Sequence, residues 1–593
     1  MNLASPVLLP EPTPRYAPAP GANHPARRVA VVGAGPWGVY ATERLADRAF
    51  RDGIPLELWV VDPAPRGHGP NFAPHLPEYE LLNFPMADVA PWEGDGSRIL
   101  PPGLHTLRAW MERTRPGRAP PGDQPVPRRE VGTYFTAVLD HLSQVRSGAF
   151  RVHRLAEDVT GVQSVPIGWR LRGPDGPLLD ASHVLLATGL PYGRPPDDLA
   201  ASLAASAQPH RLVHAARWRP GDDLGALPAG QPALVLGLGI SAIDVFLSLT
   251  EGRGGRFEAR SDARLRYVPS GREPRPIVAF SRSGRLPAPK TFGAWPHEAS
   301  RPLRVLDAEA IRRLRGRSGF LDFERDVWPL VREEMALELD RLRAAPLPRG
   351  IGSLELAGAL AALPVAGRDR HDVLLARLRE DVRLARYGVD GSWEQALKEV
   401  WARAFGALVG VLSCGGLTAV SQRRFSREIR PAWGRLAFGP PLVNALKLEA
   451  LLADRFVDLS HADATVEVRE GSYSLRDGVE ARALVDARTP VFDLRRDAPA
   501  PYRNLHVRGF IRPFTNDNGP EALATGAVDV DQEGFAYREP GVRSLGVVGA
   551  ATEGCVLGTD ALPSRRVAWP ARWADAVVAE VARSADRVAG RAG

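Results

Sequence analysis

The stretch Arg28-Val29-Ala30-Val31-Val32-Gly33-Ala34-Gly35-Pro36-Trp37-Gly38 limits what this chain can become more than any other. A short apolar run ends at Gly33, three glycines follow in G-x-G-x-x-G spacing, and helical spacing begins at once through Val39, Tyr40, Ala41 and Leu45. That order specifies a buried strand, a tight turn and a helix. Gly33 lets the backbone bend, Gly35 keeps a β-carbon away from a pyrophosphate, and Gly38 lets helix and strand approach closely. The first helical turn, with Pro36 and Trp37, offers free N–H groups and a positive dipole end to the phosphates. A second apolar run, Leu56 to Val61, ends in Asp62, whose carboxylate suits the hydroxyls of a ribose. Together these residues predict dinucleotide binding.

The pattern returns about 200 residues later. Ala233-Leu234-Val235-Leu236 runs into Gly237-Leu238-Gly239-Ile240-Ser241-Ala242 and then into helical spacing from Ile243 to Leu247, with Ala242 in place of the third glycine. The next apolar run, Ile277 to Phe280, ends in Ser281-Arg282-Ser283-Gly284-Arg285, where a carboxylate for a free 2′-hydroxyl would stand. Hydroxyls beside Arg282 and Arg285 suit a 2′-phosphate, which favours NADPH over NADH. A solvated arginine turn is the alternative.

A chain of 593 residues is too long for one core. The predicted fold class is α/β, with two Rossmann-like dinucleotide-binding lobes and a mainly helical insertion. Residues 1–27 carry repeated prolines without an apolar core and predict a disordered tail, neither signal peptide nor anchor. Residues 28–200 and 486–593 are assigned to an FAD-binding domain, 201–305 and 413–485 to an NADPH-binding domain, and 306–412 to the insertion. Helical spacing runs from Leu306 to Ala344 and from Asp372 to Leu412, while Pro63–Pro127 shows little periodicity and is expected to wrap the ring end of a flavin or to lie as a solvated loop. A late apolar strand at Ser544–Val548 and a helix at Ala568–Ala582 are expected to return to the first lobe.

The formal net charge is +7, but the chain has only three lysines, at 290, 398 and 447. Arginine that heavy, beside abundant Ala, Gly and Pro, is read as base composition rather than as a nucleic-acid footprint, since no basic run with interleaved aromatics occurs. Cys414 and Cys555 form no C-x-x-C pair and no metal spacing, so neither a dithiol reductase nor a disulfide-stapled secreted protein is expected. No apolar run reaches the roughly 18 residues of a spanning helix. A cytoplasmic protein with no membrane and no metal is the expectation, with the oligomeric state left open.

The first glycine turn, Leu82-Asn83-Phe84-Pro85, Gly132-Thr133-Tyr134, Ala187-Thr188-Gly189, the second turn, Tyr267-Val268-Pro269-Ser270-Gly271-Arg272, Phe438-Gly439-Pro440-Pro441 and Thr552-Glu553-Gly554 stand in one order along the chain. As a set they resemble the large bacterial FAD/NAD(P)-binding flavoprotein monooxygenases, whose best-understood members oxidise the amine of L-aspartate to nitrosuccinate for natural-product, including antibiotic, biosynthesis. The resemblance implies FAD on the first lobe, touched by Asn83, Thr188, Gly189, Glu553 and Gly554, and NADPH on the second, at Gly237, Gly239, Ser241, Ser281, Arg282 and Arg285. It implies N-oxygenation of a small amine or amino acid with O2, through a flavin hydroperoxide. A dicarboxylate substrate would ask for cations, and Arg66, Lys290, Arg512, Arg565 and Arg566 lie near the expected flavin-facing loops. His214 and Trp218 match the H-x-x-x-W half of a Baeyer–Villiger fingerprint, but Gln208 and His210 replace its F-x-G half. His214 is therefore a catalytic candidate or a hinge histidine. An FAD-dependent oxidoreductase or oxidase without oxygen insertion, or a non-catalytic flavoprotein, would carry the same two turns.

Overall fold

The computed structural model describes residues 28–589 apart from 85, 87–88, 92–95, 118–119, 121–123, 193–217, 291–301, 317–319, 363–368, 470, 477, 497, 537–542, 560–561 and 563–567. The tail 1–27 lies outside the described residues. Continuous apolar runs buried on both faces suit parallel strands, and two all-parallel sheets form from them. In the first, Arg28–Val32 lies between Leu56–Asp62 and His183–Leu186, and the edges are Phe150–Ala156 and Leu545–Val547. The late strand thus returns to the first sheet across an interval of more than 350 residues. Its following helix, Trp569–Ala589, packs along the opening helix Pro36–Asp52. Arg44 and Asp575 tie the two helices by a two-pronged ion pair at 2.9 Å.

The second sheet places Ala233–Leu236 between Ile277–Phe280 and Ala483–Asp486, with the short Val457–Asp458 at the outer edge. Its core also takes in Leu374, Leu378 and Val382 from the helix Arg370–Gly391, and Leu448 and Leu451 from Leu442–Ala453. A third core is helical. It gathers Trp328, Val331 and Met335 from Trp328–Arg341, Leu397, Val400 and Trp401 from Trp393–Leu412, and Trp433 from Arg430–Ala437. Trp401 and Trp433 stack at 4.7 Å there. Among the described residues no single helix is long and apolar enough to cross a membrane.

Pro63–Pro127 is not purely irregular. It contains the helix Leu107–Thr114, whose start is capped by the Thr106 hydroxyl accepting from the Ala109 N–H at 3.0 Å. Eight residues make too few turns for a periodicity to stand out.

Polar contacts join the two lobes. Arg128, at the start of the helix Arg128–Gln144, donates to Asp244 of Ile240–Leu249 at 2.7 Å, with Asp244 fully buried. Beside them Glu80 accepts from the Gly221 N–H at 3.2 Å. Burial pushes Asp244 up to about 6 and Glu80 up to about 7.

Within the first lobe, Glu43 of the opening helix is also buried, and burial pushes its carboxyl up to about 8. The unfolded chain releases this proton near the ordinary value of 4.5, so between 4.5 and about 8 folding requires proton uptake. Its contribution to stability falls as pH rises through that window and is level above it. Glu43→Gln removes the requirement, so the variant should gain on wild type progressively between pH 5 and pH 8 in thermal melts, with a constant difference above pH 8. A pH-independent difference would show that Glu43 is ionised in the fold.

Candidate functional site

At the first turn the three glycines meet different surroundings. Gly33 holds φ at +106°, and a β-carbon on it would stand 2.3 Å from the Ala187 carbonyl oxygen. A β-carbon on Gly38 would stand 1.9 Å from the Gly33 carbonyl oxygen, so turn and helix touch. A β-carbon on Gly35 would meet nothing within 4 Å. The turn is closed on its protein side and open where a phosphate would lie against the start of the helix, which is the shape a pyrophosphate requires.

That open side is the wall of a cleft of about 440 Å³. Asp62 lines it, fixed by the Ala34 N–H at 2.9 Å and the Ala64 N–H at 2.8 Å, and burial raises its pKa. Thr188 and Gly189 line it from the end of His183–Leu186, and the Thr188 hydroxyl pairs with the Tyr502 hydroxyl at 2.9 Å. Gly549, Ala550 and Glu553 close it from the chain that follows the last strand, and Thr489 to Phe492 from the chain that leaves the second sheet. The helical core reaches in as well. Arg430 lines the cleft, pairs with Glu553 and lies 5.9 Å over the Phe405 ring. Glu553 also accepts from the Thr559 N–H at 2.9 Å and its hydroxyl at 2.7 Å, so its carboxylate is held from two sides. Gly554 accepts from the Gln422 side chain at 2.7 Å.

The second turn repeats the pattern. A β-carbon on Gly237 would approach the Ala487 backbone at 3.3 Å, while one on Gly239 would meet nothing within 4 Å. Ser241 stands in the first turn of the helix that follows. At the end of Ile277–Phe280 the Ser281 hydroxyl accepts from the Gly284 N–H at 3.2 Å. Arg282 is exposed, and Arg285 donates to the Ala361 carbonyl at 2.8 Å. Arg435 is the unforeseen member: burial first, then the Arg285 and Arg282 cations, lower its pKa. The Arg282 and Arg285 cations thus both act on the half-buried Arg435 guanidinium.

The structure brings together Gly33, Gly35, Pro36, Trp37, Asp62, Thr188, Gly189 and Glu553 around one cleft. Asn83 and Lys290 meet each other instead: the ammonium donates to the Asn83 carbonyl and lies 4.7 Å over the Phe84 ring. Both stand outside the cleft lining, as do the exposed Arg66 and Arg512, which pairs with Asp529 at 2.8 Å. His214, Arg565 and Arg566 lie outside the described residues. Arg430 and Arg435 carried no sequence signal, because nothing in their local spacing distinguishes them among so many arginines.

Residues 30–191 match a family described as FAD-NAD(P)-binding. The nitrosuccinic acid synthase npaA of Aspergillus oryzae is 28% identical over 596 residues, covering 89% of this chain and 88% of that protein. An L-aspartate N-monooxygenase (nitrosuccinate-forming) of Streptomyces davaonensis is 29% identical, covering 80% of this chain and 84% of that protein. Its counterpart from Streptomyces cremeus is 28% identical, with 86% and 87% covered. The chain thus carries an FAD-NAD(P)-binding domain at residues 30–191 and is similar over at least four-fifths of its length to nitrosuccinate-forming L-aspartate N-monooxygenases.

Proposed function

We propose that this protein is an FAD- and NADPH-dependent monooxygenase that N-oxygenates the primary amine of L-aspartate to form nitrosuccinate. The observation that carries the proposal is the cleft itself, with a phosphate-shaped opening at Gly35 at one end and an arginine–glutamate pair, Arg430–Glu553, in its wall. The similarity to L-aspartate N-monooxygenases supports the choice of substrate. In this reading residues 28–200 and 486–593 carry FAD, with Asp62 on its ribose, and 201–305 with 413–485 carry NADPH. Residues 306–412 insert between them, and the helical core they found extends to Arg430.

FAD, held at Gly33, Gly35, Asp62 and Thr188, would supply the hydride and oxygen-transfer chemistry that N-oxygenation needs. The chain supplies placement. Arg430 can exchange Glu553 for a substrate carboxylate, a charge-assisted contact suited to a dicarboxylic amino acid. A cation beside the ammonium group and the partly apolar walls at Trp37 and Phe492 both favour the neutral amine, whose lone pair the reaction needs. Arg282, with Arg285 and Arg435, meets the 2′-phosphate of NADPH.

Three outcomes follow. Gly35→Ala keeps an allowed φ near −76° and an unobstructed fold, so it should melt like the flavin-free wild type yet purify with little bound flavin by absorbance near 450 nm. A fully yellow variant would move the pyrophosphate elsewhere. Arg282→Glu is expected to raise KM for NADPH far more than for NADH, and equal effects would remove the phosphate contact. With wild type, L-aspartate should lower the peroxide released per NADPH consumed while nitrosuccinate accumulates by mass spectrometry, and Arg430→Gln should need roughly tenfold more aspartate for the same effect. Stoichiometric peroxide with and without aspartate would instead identify an oxidase.

A further inference from the structure

The two cysteines of the chain, 141 positions apart in sequence, meet in the fold. Their sulfurs are 4.0 Å apart. The backbones around them are laced together, with the Cys414 N–H donating to the Cys555 carbonyl at 2.7 Å and the Leu557 N–H to the Ser413 hydroxyl at 3.0 Å. Both are thiols in this structure. We propose that Cys414 and Cys555 are a peroxide-oxidised pair that closes to an intramolecular disulfide, joining the helical core to the wall of the flavin cleft.

Three observations assign the parts. Cys414 follows the end of Trp393–Leu412, is partly exposed, and holds φ at +53°, a left-handed backbone that few residues other than glycine adopt. It is the sulfur an oxidant can reach. Cys555 is 1% exposed, and Cys414 together with burial holds its thiol well above the ordinary range, so it stays protonated and unreactive alone. It also stands two residues after Glu553, which lines the cleft. An enzyme that activates O2 in that cleft releases hydrogen peroxide beside the pair whenever transfer fails. Only this source of oxidant rests on the proposed function, while the pairing rests on geometry.

The chemistry balances with one peroxide. The Cys414 thiolate attacks an oxygen of hydrogen peroxide, an S–O bond forms, the O–O bond breaks, and the departing hydroxide takes a proton to become water. The Cys555 thiol then displaces hydroxide from the Cys414 sulfenic acid, forming the S–S bond, and its proton leaves in a second water. Two sulfurs each lose one electron and the peroxide gains two. Closure brings the sulfurs in from 4.0 Å to a bond of about 2.05 Å, between backbones already joined by the Cys414 N–H to Cys555 carbonyl bond.

The test uses the full-length protein and added hydrogen peroxide, independent of any turnover. Wild type is treated with one to five equivalents, quenched with N-ethylmaleimide, and weighed intact and after digestion. The expected result is a loss of two mass units with no maleimide added, one cross-linked peptide pair containing residues 414 and 555, and full reversal by dithiothreitol. Cys555→Ser should instead accumulate sulfinic and sulfonic acid at Cys414, because the resolving thiol is gone. Oxygen added to Cys414 of wild type while Cys555 still takes maleimide, or cross-linking between chains, would overturn the proposal. Because added peroxide replaces turnover, a protein that fails to N-oxygenate aspartate can still pass, and one that succeeds can still fail.

Discussion

The contact between the Gly38 position and the Gly33 carbonyl sets the geometry on which the first lobe depends. With no β-carbon between them, the opening helix starts directly against the end of the central strand, and its N-terminal N–H groups face the cleft at Gly35. The strands on either side of that turn are buried and parallel, so their carboxyl ends emerge together and deliver Asp62, Thr188 and Gly549 to one rim. An open parallel sheet collects ligand-binding loops at this edge by construction. The second sheet does the same with Gly239, Ser281 and Arg282, so one structural device is used twice.

The insertion adds what the two lobes alone lack. Its core is formed by large apolar side chains, among them the stacked Trp401 and Trp433, and the Arg430–Ala437 helix carries Arg430 to the first-lobe cleft and Arg435 toward Arg282 and Arg285. One short helix therefore reaches toward both lobes. Polar pairs rather than a continuous apolar core join the lobes at Arg128–Asp244 and Glu80–Gly221, a kind of interface compatible with movement of one lobe against the other.

Much of this was legible in the residues. Arg28–Val32, Ala233–Leu236 and Ile277–Phe280 form strands where the apolar runs stand, because a strand buried on both faces reads as an unbroken run. The glycine turns and Asp62 were legible because their chemistry is local in sequence. The antiparallel sheet formed by Gly161–Val165, Gly168–Gly173 and Gly176–Ala181 was not, since half-exposed strands of five or six residues resemble loops. Cations chosen by nearness to expected loops fared differently: Arg66 and Arg512 are exposed and do not line the cleft, and Arg430 arrived from a helix far along the chain. Long-range meetings such as Cys414 with Cys555 depend on how the insertion folds back, which no local spacing encodes.

Trp218, the first described residue after 193–217, donates its N–H to the carbonyl of Asp486, at the end of Ala483–Asp486, at 2.8 Å. Ala487, next in line, abuts Gly237 and donates to the Leu236 carbonyl at 2.9 Å, and two residues later Thr489 lines the first-lobe cleft. A displacement of Ala483–Asp486 would therefore carry a wall of the first-lobe cleft with it, which couples the second sheet to that cleft through the chain itself.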